Sequence, residues 1–141
     1  MSTPCHRRTL AAAVAATLFT LTSAAFADDV KVSLTGAQEV PPVTTQAKGS
    51  GTIKIGDDKS VSGSIETSGI NGNAAHIHMA AAGQNGGVII PLAKSGDNGW
   101  NVPAGAKLTD AQYDAFKKGD LYVNVHTKEH PAGEIRGQLK P

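Results

Sequence analysis

His76-Ile77-His78 is the sharpest chemical feature of the chain. Side chains two apart on a strand project to one face, with Cα atoms about 6.5 to 7 Å apart, so both imidazoles can converge on one ion. Metal to nitrogen bonds are roughly 2 Å long, and a third imidazole from another strand would complete a usable site. His126 is the leading third ligand, because it ends the β-type run Leu121 to His126 on that run's polar face; His130, four residues on, stands in reserve. A nitrogen-rich site without thiolate suits Cu(II) or Zn(II), and copper binds the same ligands more tightly, so copper is expected ahead of zinc. Met79 is expected on the opposite strand face, in the core. The competing expectation is that these histidines only make hydrogen bonds at a strand end.

Two further residues stand near that cluster if Leu121–His126 pairs symmetrically with Glu134–Leu139: His126 then lies beside Glu134 and Asn124 beside Arg136. Glu134 could accept the second N–H of a ligand imidazole, or pair with Arg136 or a lysine on a solvated face. Arg136 could draw an anion toward a metal. Other catalytic patterns are missing: there is no Gly-X-Ser-X-Gly elbow, no phosphate-cradling loop followed by Lys-Ser or Lys-Thr, and no His-Glu-X-X-His. The carboxylates are scattered, so no acid–base pair can be picked out and no catalytic residue is expected.

Short alternating runs between turn residues must position these side chains. Val30–Leu34, Gly51–Ile55, Val61–Ile65, Ala74–Ala80, Val88–Leu92, Leu121–His126 and Glu134–Leu139 read as strands, the spacing of a sandwich or barrel. Gly56-Asp57-Asp58-Lys59 marks a hairpin, and Gln38–Pro42 reads as extended or edge chain because proline cannot donate to a ladder. Trp100 is expected to plug the core. One helix is predicted after Thr109, with Gln112 completing a capping box, Leu108 stapling onto Tyr113 and Gly119 ending it.

With 141 residues and Lys+Arg 13 against Asp+Glu 12, the chain holds one small domain of near-zero charge, which argues against nucleic acid as a partner. Residues 1–27 read as a cleaved signal peptide: Arg7 and Arg8, an uncharged apolar run from Leu10 to Phe26, then Ala25-Phe26-Ala27 before Asp28. The domain is then residues 28–141, in the periplasm or secreted, with no membrane span once the leader is removed. The single cysteine, Cys5, precedes the apolar run, so the domain has neither a disulfide nor a thiolate.

Ala74-Ala75-His76-Ile77-His78, Gly119-Asp120-Leu121-Tyr122-Val123-Asn124-Val125-His126-Thr127 and His130-Pro131-Ala132-Gly133-Glu134-Ile135-Arg136-Gly137-Gln138-Leu139 together resemble the CHRD domain, named after chordin and found in many secreted bacterial proteins. The likeness runs from about residue 30 to 139, and Leu34–Pro42 resembles its opening. It implies an all-β, Greek-key, immunoglobulin-like sandwich or barrel of about seven or eight strands with one short helix, distantly similar to copper/zinc superoxide dismutase. His76 and His78 resemble the copper-binding His-X-His of that enzyme, and Val125-His126-Thr127-Lys128 resembles the strand carrying another copper ligand. The zinc loop, the cysteine pair and the bridging histidine have no counterpart. The expected function is therefore a non-catalytic, exported binding domain that takes copper. The alternatives are an extracellular protein-interaction module without metal, whose partner the residues do not identify, and a dismutase-like enzyme.

Overall fold

The computed structural model describes residues 26–141, so the predicted leader, 1–27, lies almost wholly outside the described residues. Nine strands form one antiparallel sheet: β1 Ala27–Thr35, β2 Lys48–Gly56, β3 Val61–Ser68, β4 Ala74–Met79, β5 Gly87–Pro91, β6 Ala93–Ser95, β7 Gly99–Asn101, β8 Leu121–His126 and β9 Ile135–Leu139. Their lateral order is β5-β4-β8-β9-β1-β2-β3-β7-β6. The two outermost strands, β5 and β6, are separated in sequence by Leu92 alone, so the sheet has to curl until its ends meet. Leu92 N–H donates to Ala75 O at 2.9 Å and Lys94 Nζ to Gly72 O at 2.8 Å, which ties that seam to β4 and the chain leading into it. The all-β expectation holds, with the short strands β6 and β7 added to the predicted runs.

Strict alternation explains the core. Val30, Val32 and Leu34 of β1, Ile53 and Ile55 of β2, Ile65 of β3, Ile77 of β4, Leu121, Val123 and Val125 of β8, and Ile135 and Leu139 of β9 are all buried inside the curl. Helix α1, Asp110–Lys117, closes one end with Phe116, which is fully buried. It begins as predicted: Gln112 N–H donates to Thr109 Oγ1, and Thr109 N–H to Gln112 Oε1. Gly119, at φ +79°, ends it, with Gly119 N–H bonding Phe116 O and Asp120 N–H bonding Ala115 O. Trp100 is buried in the core as expected.

One expectation holds in part and one fails. After the 3-10 turn Gly36–Gln38 the chain is extended at Glu39 but outside the sheet, and Gln38 Oε1 accepts from the Gln138 N–H of β9 at 3.4 Å. Met79 faces away from the histidines but ends its strand at the rim, 40% exposed, where the core no longer reaches.

Candidate metal centre

Strand β4 pairs with β8 in a register that sets Ala74 opposite His126, His76 opposite Asn124 and His78 opposite Tyr122. The outer face of these strands therefore carries, side by side, the two histidines of β4 and the Tyr122, Asn124, His126 series of β8. The imidazoles of His76, His78 and His126 gather there, their ligand atoms all within 4.8 Å of one another. His76 Nδ1 is 3.0 Å from His126 Nε2, the spacing that two bonds of roughly 2 Å at 90–110° to one ion require. The three rings would have to draw closer through side-chain rotation for one ion to reach all of them at bonds of roughly 2 Å.

The second ring nitrogens of His78 and His126 are already committed. His78 Nδ1–H donates to Gly86 O at 2.9 Å, and His126 Nδ1–H donates to Pro131 O at 2.9 Å, which leaves both Nε2 atoms as lone-pair donors. His78 is 7% exposed, and its Nε2 has no hydrogen-bond partner. A buried nitrogen costs free energy in that condition, and an ion is the kind of partner that satisfies it. Burial, followed by repulsion from the neighbouring rings, pushes the His76 pKa below its usual value. Burial also lowers that of His78, against the opposing effects of Gly86 O and the Asn124 side chain. Both shifts favour the neutral, metal-binding form of the ring.

Outward-facing residues of β8 and β9 are buried here because two segments cover them, residues 36–43 and the loop 80–87. Arg136 was expected on a solvated face; it is 1% exposed, with Nη1 donating to Gln84 O at 2.7 Å and Nη2 to Ala81 O at 3.2 Å. Its guanidinium carbon lies 3.4 Å from the Tyr122 ring centroid, and Tyr122 in turn stacks on His78 with centroids 4.7 Å apart and planes 2° from parallel. Arg136 therefore braces His78 through Tyr122 and offers no open face to an anion.

Glu134 also departs from expectation. It is beside His126 in sequence register, yet its oxygens accept from Thr45 Oγ1 at 2.7 Å and Thr127 Oγ1 at 2.8 Å. Those bonds pin the loop between β8 and β9 to the segment leading into β2, so the glutamate positions Pro131 O and not the imidazole directly. His130 is outside the cluster; its backbone closes the same loop through Thr127 Oγ1. The carbonyls of Gly86 and Pro131, which orient the rings, carry no side-chain signature in the sequence. Tyr122 and Asn124 do share the polar face with His126 and could have been singled out by alternation.

Glu39 is the residue sequence reasoning passed over. It is 4% exposed, Oε1 has no partner, and burial, opposed by the Arg136 charge, pushes its pKa up to about 7. The folded state therefore prefers the protonated carboxyl. Folding stability from this group is whole below pH 4.5, where it is protonated folded or unfolded, and declines as pH rises toward 7. The decline is about 2–3 kcal/mol. Glu39→Gln is expected to erase it, so denaturant titrations should give a variant nearly as stable as the parent at pH 4.5 and more stable at pH 8. A difference that stays constant with pH would contradict the assignment.

A family model, the CHRD domain, matches residues 30–139. No curated protein and no solved structure matches the chain.

Proposed function

We propose that this chain, which belongs to the CHRD-domain family, is an exported, non-catalytic module that binds one copper ion through His76, His78 and His126. The observation that carries the reading is the gathering of three imidazole ligand atoms within 4.8 Å of one another, with the Nε2 of His78 buried and without a hydrogen-bond partner. A bound copper would be held by His78 Nε2, His126 Nε2 and His76 Nδ1, its chemistry that of a Lewis-acidic, redox-active ion. His76 Nδ1–H donates to His126 Nε2 in the metal-free protein, so its proton passes to the other ring nitrogen when the lone pair is used.

Binding ahead of turnover is favoured by the surroundings. Among the described residues, His76, His78 and His126 form a single group of this kind, and no second cluster stands ready for a partner metal. Export rests on the charged start and apolar run of residues 1–27. One experiment checks both statements. Protein expressed with its own leader and recovered outside the cytoplasm is weighed intact under non-denaturing conditions after copper exposure. The expected mass is that of residues 28–141 plus one copper; a chain retaining its leader, or one that takes up no copper, contradicts the corresponding half.

A further inference from the structure

Resting on that reading, we infer that the stack Arg136–Tyr122–His78 makes the centre selective for monovalent copper, Cu(I), over Cu(II) and Zn(II). Arg136 is 1% exposed, its guanidinium carbon lies 3.4 Å from the Tyr122 ring centroid, and the His78 imidazole stacks parallel to that same ring with centroids 4.7 Å apart. All four hydrogen-bond acceptors around it are neutral: Gln84 O, Asn85 Oδ1, Ala81 O and Gln138 Oε1. Its charge is permanent. Glu39 is the carboxyl whose field reaches it; protonated below about pH 7 it leaves the guanidinium charge whole, and ionised at pH 8 it offsets part of that charge.

The donors add no compensating charge. The three ligands are imidazoles, and the ring N–H groups of His78 and His126 go to backbone carbonyls, not to carboxylates that would lend them negative character. A fixed positive charge behind one ligand repels a dication twice as strongly as a monocation at the same point. Donor number points the same way. Three nitrogens satisfy Cu(I), whose filled d shell imposes no square-planar or tetragonal arrangement, whereas Cu(II) favours a tetragonal set and Zn(II) a fourth ligand. Arg136 and Tyr122 are thus positioning residues that act through His78.

The reduction potential of the copper-loaded protein, measured by redox titration at pH 8, reads this directly. The bound couple should lie at least about 59 mV above that of free aqueous copper, a tenfold preference for Cu(I) in a one-electron couple. Arg136→Met should lower the potential by about the same amount. Because Arg136 also ties down the loop 80–87, a second variant guards against misfolding: Glu39→Gln removes the facing carboxylate and should raise the potential. Opposite signs from the two variants are not what loosened packing would give. A couple at or below that of free copper, or a lowered potential in Glu39→Gln, overturns the inference while leaving copper binding intact; a native protein that binds neither oxidation state overturns both.

Discussion

Replacing His76 and His78 together by alanine is expected to abolish specific copper binding by a protein that remains folded. Each imidazole supplies one of three donors, and losing even an outer partner of a metal ligand typically costs 10–100-fold in affinity. Losing a donor costs more, so either single variant should fall by roughly a hundred-fold or beyond, and the double variant to the level of adventitious surface binding. His126→Ala should behave like the singles, since its Nε2 faces His76 Nδ1 at 3.0 Å. His130→Ala should leave affinity unchanged, because that ring stands outside the cluster. Competition with a chromophoric copper chelator measures all five variants, and circular dichroism shows whether each is folded. The side chains replaced lie on the outer face of β4, away from the Ile77 side that fills the curl, so truncation removes ligands without emptying the core.

Gly133→Ala is expected to carry a large stability penalty near the site. Gly133 has φ +126°, backbone that side chains rarely adopt. A Cβ there would run into Glu39 Oε1 and come within 2.6 Å of Asn124 Nδ2. Backbone strain of about 1–3 kcal/mol combines with that overlap, for a total near 2–4 kcal/mol. The loop it belongs to also delivers Pro131 O to His126, so copper affinity should fall together with the denaturation midpoint. A variant as stable as its parent would mean that Glu39 and Asn124 can move aside freely, against the packing described.

Much of this was legible in the sequence because alternation is a local property. Val30–Leu34, Leu121–His126 and the Thr109–Gln112 box each announce a strand face or helix start from neighbouring residues alone, and the pairing of Asn124 with Arg136 followed from hairpin symmetry. The convergence of His126 with the β4 pair was inferred from residue type, and the β4–β8 register supplies its cause. What stayed hidden depends on chain segments distant in sequence. Nothing local to Arg136 says that Ala81, Gln84 and Asn85 will fold over it, so an outward face was equated with a wet one. Glu39 was lost for the same reason: its burial is imposed by residues almost a hundred positions away, in the loop around Gly133. Glu134 found two threonine hydroxyls where an imidazole N–H or a basic side chain had been expected, since register fixes which residues are adjacent and not where a long side chain turns.

X-ray absorption at the copper edge of the singly loaded protein tests the convergence of the three rings most directly. Three nitrogen scatterers at roughly 2 Å, with the outer-shell pattern of imidazole, are expected. A first shell made of oxygen, or containing a single imidazole, would contradict the account.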